Sequence, residues 1–321
     1  MVLLKGIKLL LLLSFFSLLT ACGMETTIKL DSDAGDYIGA GQKYEYSNAD
    51  AIITVNATDG LLTVDVKGDE SWQASFQLPD TSVELELGTY DNLERYPFHN
   101  PTVGGLSWTG EGRSCNASLG SVVIDKVTYV EGDLTEIEMK FEQQCGISTA
   151  ALHGEIKWYS EDATSPPGPE TEVPDDLWEP AADLLPEFDN YVYLESEAGD
   201  YIGVGDDYLY TEFADIITVS ATENSIEVLV GGWRGTFKGM NSIDKIEPGF
   251  YAGLQRYPFN NPTKGGLSWS GNGRGCNTSN GWFVIDNVVY TGDNLSSVDL
   301  RFEQHCGGQE AALNGKIHWS E

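Results

Sequence analysis

The sequence predicts an all-β protein built as two tandem β-sandwich or barrel-like modules, each closed by one disulfide. Three observations carry this expectation. Thirty-six Gly, 15 Tyr and 8 Trp, with few long apolar stretches at helical spacing, favour short strands joined by tight turns. Arg95 to Asn116 (RYPFHNPTVGGLSWTGEGRSCN) and Arg256 to Asn277 (RYPFNNPTKGGLSWSGNGRGCN) share 17 of 22 residues at a constant offset of 161, the mark of a duplicated domain. Cys115 and Cys145 recur as Cys276 and Cys306 with the same separation of 30, so one disulfide per copy follows for an exported chain.

The chain opens with Lys5 and Lys8 ahead of an apolar run from Leu9 to Leu19, too short to span a bilayer and of the length of a secretory core. The run ends in Leu19-Thr20-Ala21-Cys22, which resembles the lipobox of bacterial lipoproteins. The resemblance implies a signal peptide over residues 1–21 and a mature N-terminus at Cys22 that is acylated and anchors the chain in the membrane. Each buried CH₂ of such an anchor contributes about 0.8 kcal/mol. Gly23 stands where an Asp would, by the same resemblance, favour retention at the inner membrane, so a lipid-anchored place in the bacterial envelope at the outer membrane is expected.

Residues 22–160 are read as the first module. Asp50 to Thr58, Asp59-Gly60 and Leu61 to Val66 predict a hairpin, because Asp-Gly supplies the positive φ values of a type I′ turn. Trp72 to Gln77 follows as a third strand. Ser121 to Tyr129 and Thr135 to Gln144 form a further hairpin about Gly132-Asp133, and Gly154 to Trp158 closes the module. Within the second of these strands Ile137, Met139, Phe141 and Cys145 share one parity, and Glu138, Lys140 and Glu142 the other, so the apolar side and the cysteine point inward together. Residues 161–189, with six Pro between Glu161 and Pro186 and many acids, have the composition of an extended, solvated linker holding at most one short helical turn. Residues 190–321 repeat the module, with the turns at Glu223-Asn224 and Gly292-Asp293.

Eighteen Lys plus Arg against 50 Asp plus Glu give a net charge of −32, which repels nucleic-acid backbones. Removing residues 1–21 takes Lys5 and Lys8 with it and leaves the body more acidic still. The four His fall at non-equivalent positions of the two copies, so no shared His-based mechanism is expected. Gly105 to Gly110 reads GxSxxG, one residue too long for a nucleophile elbow. Carboxylate pairs such as Glu142 with Asp125, or Glu303 with Asp286, are the material for the alternative reading as a hydrolase active in one copy. Asp31, Asp33 and Asp36 alternate as in a calcium loop but depart from the EF-hand spacing, and no cofactor is otherwise expected.

The combination of Gly-Asp-Tyr-Ile-Gly, Arg-Tyr-Pro-Phe, Gly-x-Gly-Arg-x-Cys-Asn and Phe-Glu-Gln-x-Cys resembles a β-rich module of exported bacterial proteins. That resemblance implies an extracytoplasmic module and transfers no catalytic residue. Arg95, Tyr96, Trp108, Arg113 and Asn116, with Arg256, Tyr257, Trp269, Arg274 and Asn277, are the most distinctive polar and aromatic residues the copies share. Two readings stand for them: loops tied to carboxylates and carbonyls around a core Trp, or a ligand surface with stacking aromatics and Arg and Asn donors. The function expected is that of a non-catalytic, membrane-anchored surface lipoprotein whose duplicated modules bind glycan or an envelope protein, with a purely architectural spacer as a further alternative.

Overall fold

The computed structural model describes residues 24–79, 82–187 and 190–321; the expected signal peptide and Cys22 lie outside the described residues. The first repeat contains β1 (Thr27–Ser32), β2 (Lys43–Ser47), β3 (Ile52–Thr58), β4 (Leu61–Lys67), β5 (Ser71–Gln77), β6 (Gly88–Arg95), β7 (Gly105–Gly110), β8 (Ser118–Val130), β9 (Asp133–Cys145) and β10 (Ala151–Tyr159). The second contains β11 (Tyr191–Ser196), β12 (Tyr208–Thr211), β13 (Thr218–Thr222), β14 (Ser225–Val230), β15 (Trp233–Lys238), β16 (Gly249–Arg256), β17 (Gly266–Gly271), β18 (Ser279–Thr291), β19 (Asn294–Cys306) and β20 (Ala312–Ser320). One 3-10 turn, Ala182–Leu184, falls where the linker was expected to hold one. Among the described residues no helix is long and apolar enough to cross a membrane.

Each repeat folds into one ten-stranded sheet, ordered β2-β1-β10-β9-β8-β6-β7-β5-β4-β3 and identically in the second copy. The edge strands β2 and β3 are consecutive in the chain. No ladder joins them, and the Trp72 indole N–H of β5 donates to the Tyr46 hydroxyl of β2 at 2.8 Å. The result is a barrel-like module whose ladder stays open between β2 and β3. The inward parity read from β9 holds: Ile137, Met139 and Phe141 are buried, as are Val298, Leu300, Phe302 and Cys306. Each module has its own hydrophobic cluster. The disulfides Cys115–Cys145 and Cys276–Cys306 tie the end of β9 or β19 to the segment ahead of β8 or β18, with Cα atoms 5.2 and 5.3 Å apart.

The first hairpin turn is as expected, with Asp59 at φ 52° and Gly60 at φ 71°. The β8–β9 turn is displaced by one residue from Gly132-Asp133 to Glu131-Gly132, because Gly132 takes the positive φ of the second turn position and Asp133 already pairs with Val130. The linker departs further from its reading as solvated chain. Glu170 exchanges two backbone hydrogen bonds with Phe250 of β16, and Pro180 is buried. The two modules touch where Asn261 donates to the Asp50 carbonyl and the Asp69 carboxylate, and where Lys264 pairs with Asp69 at 2.6 Å.

Candidate functional site

The repeated motifs are first of all parts of the architecture. In Gly-Asp-Tyr-Ile-Gly, the buried Asp36 carboxylate accepts from the Ser32 hydroxyl at 2.7 Å, the Gly39 N–H at 2.7 Å and the Ile38 N–H at 3.2 Å. Asp200 repeats this with Ser196, Gly203 and Ile202. A Cβ on Gly39 would meet that of Ser32 at 2.5 Å, so the close approach requires glycine. Arg113 donates through Nε to the Ile38 carbonyl at 2.6 Å and lies 5.7 Å over the Trp72 ring; Arg274 does the same with Ile202 and Trp233. The loop is thereby clamped in the same way in both copies.

Phe-Glu-Gln-x-Cys has a role that sequence reasoning missed. Strands β6 and β7 pair in parallel at only two positions, Glu94 with Gly105 and Arg95 with Leu106, and then diverge. Trp108 would be left with an unpaired buried backbone on that side. Gln143 fills the gap, its Oε1 accepting from the Trp108 N–H at 2.7 Å and its Nε2 donating to the Trp108 carbonyl at 2.9 Å. Gln304 serves Trp269 identically. The available signal was parity: position 143 falls between Phe141 and Cys145 on the inward side of β9.

These facts divide the ten residues singled out in the sequence. Trp108 and Trp269 are 0% and 1% exposed and stack on Phe141 and Phe302, so they are core residues and offer no face to a ligand. The tight packing of β7 against β5 and β9 puts them there. Arg113 and Arg274 are structural clamps. Arg95 and Arg256 remain at the surface, each donating to the carbonyl of Asn116 or Asn277 at 3.2 Å and lying 5.1 Å over Phe98 or Phe259. Tyr96 stacks on His99, while Tyr257 is exposed in the loop that meets the first module. The set is therefore split between core and rim and forms no single binding surface.

The calcium candidates part in the same way. Asp31 pairs with Lys43 at 2.6 Å, Asp33 accepts from the Ala151 N–H, and Asp36 is used up inside its loop, so the three carboxylates do not converge. The Ala151 N–H also holds the Asp33 carboxyl below the usual range. Among the described residues no cluster of His, Cys, Asp and Glu suits a metal ion. The hydrolase carboxylates are equally engaged: Asp125 with Lys140, Asp286 with Arg301 and Lys316, and Glu303 with the Trp282 indole and His305.

An open groove of about 780 Å³ lies elsewhere, on the outer face of β2, β1, β10, β9 and β8. Strand register sets two rows of charge across it, Lys43, Asp31, His153 and Glu142 in one, and Glu45, Lys29, Glu155 and Lys140 in the next. Lys29 pairs with Glu45 at 2.7 Å, and that hydrogen bond raises its pKa. His153 lies 3.5 Å from Asp33 and 3.6 Å from Glu142. Val123 and Ser121 continue the surface onto β8. Lys140 and Glu142 were legible as the outward parity of β9. Their union with β1, β2 and β10 was not, because it depends on pairing between the first and last strands of the module.

The matching face of the second module is covered. By the same registers, Tyr193, Glu195, Arg301, Asn314 and Lys316 replace Lys29, Asp31, Lys140, His153 and Glu155. The linker lies over them as a strap. Trp178 accepts from Arg301 through its carbonyl and donates its indole N–H to Glu195, both at 3.2 Å, and Glu179 lies 3.8 Å from Lys316. Arg301 and Lys316 are consequently 8% and 9% exposed, unusual values for cations, and both share Asp286. Burial pushes the Tyr193 phenol up to about 12.

No model of a known protein family, no curated protein and no solved structure matches this chain.

Proposed function

We propose that this chain is a non-catalytic lipoprotein of the bacterial envelope, anchored through acylated Cys22 at the outer membrane, in which the first module binds an envelope component and the second is closed by its own linker. One observation carries the reading. Two copies of one module have an equivalent outer face of different composition, and that face is open in the first copy and occupied in the second. The open groove has the volume of a ligand site and a mixed lining of Lys, carboxylate, Tyr and Val. The carboxylates that would serve a hydrolase are each held by a cation or an N–H, which supports binding over catalysis. Acylation supplies the attachment, so the module needs no spanning element of its own.

Binding of the purified mature chain to envelope polysaccharide and to envelope protein fractions, measured separately, tests this. The triple variant Lys29→Glu, Lys43→Glu and Lys140→Glu should weaken retention at least about tenfold, since it reverses three charges on the ligand surface. Phe213→Ala, at a 94% exposed position in the β12–β13 turn of the second module, should leave it unchanged. Retention unaffected by the triple variant would refute the assignment.

A further inference from the structure

The strap over the second module is a bound peptide in all but its covalent link. It meets β16 through Glu170, β19 through the Arg301–Trp178 contact, β11 through Glu195 and β20 through Lys316. Three side chains of the face read it: a cation holds the Trp carbonyl, a carboxylate holds the indole N–H, and a second cation faces the residue after the Trp. Register transfers these roles onto the open groove. Lys140 stands where Arg301 does and Asp31 where Glu195 does, so the first two readers are kept in kind. Glu155 stands where Lys316 does, and the third reader has the opposite charge.

We infer that the open groove of the first module takes, in trans, an extended peptide segment of a partner protein that carries a Trp followed by Lys or Arg. This rests on the binding reading above and names its ligand chemistry. The chain's own Leu177-Trp178-Glu179-Pro180 is the wrong occupant twice over. It is engaged with the second module, and its Glu179 would face Glu155.

The test uses the full mature chain and two synthetic peptides, one with the sequence of residues 174–183 and one with the change Glu179→Lys. The Lys peptide should bind about threefold to tenfold tighter, the size of effect expected when one partly exposed charge pair changes from repulsive to attractive. Glu155→Lys should reverse the preference. Glu155→Gln, a near-isosteric change that protects the test against misfolding, should abolish it. Asp31→Ala should weaken both peptides by removing the acceptor for the indole, and a Trp178→Ala version of either peptide should not bind. Failure of both peptides, or a preference that Glu155→Lys and Glu155→Gln leave unchanged, overturns the inference. If the peptides fail while the triple groove variant still loses its envelope ligand, the ligand chemistry is wrong and the binding function stands. If the triple variant also binds normally, both fall.

Discussion

The hydroxyl of Tyr46 donates to Glu70 at 2.7 Å and accepts from Trp72 at 2.8 Å, deep at the seam of the first barrel. Tyr251, in the second, donates to the Glu247 carbonyl. Burial raises both phenols well above their ordinary value. A group whose folded pKa lies above its unfolded one lends stability that is complete below the unfolded pKa, about 10 for Tyr, and is lost as pH climbs beyond it. The chain should therefore resist mild alkali while exposed phenols such as Tyr37 and Tyr201 ionise, and then unfold in a step in which the remaining rise in tyrosinate absorbance and loss of β-sheet dichroism coincide. Complete tyrosinate formation in a chain that keeps its sheet signal would contradict this burial. At the same scale, the repeated Arg and Trp residues were legible as important but not as to role. Arg113 and Arg274 were rare cations preserved in both copies of an acidic chain, which fits clamps and ligand donors alike. Only the placement of their acceptors, the Ile38 and Ile202 carbonyls some 70 residues earlier, decides between them.

Strand β7 shows how an element depends on a side chain from another. It pairs with β5 along its length, but with β6 at only two positions, and Gln143 supplies what the missing ladder does not. Gln143→Leu keeps the volume and strips both partners from the Trp108 backbone. Since a buried unpaired group costs about 1–3 kcal/mol, the variant should lose about 2–5 kcal/mol. The loss should fall on the first module's unfolding transition in urea, with the second module's transition unmoved. A shift below about 0.5 kcal/mol, within the range of ordinary surface substitutions, would remove Gln143 from this role. Most strands were readable from period-two alternation and turn chemistry, as the Asp59-Gly60 hairpin shows. The weakly patterned β6, which lies beside β7 in parallel, was not, and neither was the β1–β10 pairing that shapes the groove. Both join segments far apart in sequence, and local pattern carries no record of such partners.

At the scale of the whole molecule, duplication has produced two barrels with one sheet order and two different outer faces. The second has turned its cations, Arg301 and Lys316, toward a segment of its own chain; the first leaves Lys29, Lys43 and Lys140 in solvent. Proline-rich, acidic composition made residues 161–189 read as free linker, and composition does not reveal that a Trp and a Pro within it have a face to cover. In a chain of net charge −32, an open surface that gathers Lys is the feature most in need of a use. Amine labelling followed by mass spectrometry, compared between the purified chain and the chain in its native envelopes, addresses that use directly. Protection of Lys29, Lys43 and Lys140 in the envelope, with Lys67 labelled equally in both settings and an acylated Cys22 at the mature N-terminus, is the outcome expected. Equal labelling of all four lysines in both settings would mean that nothing occupies the groove where the protein works.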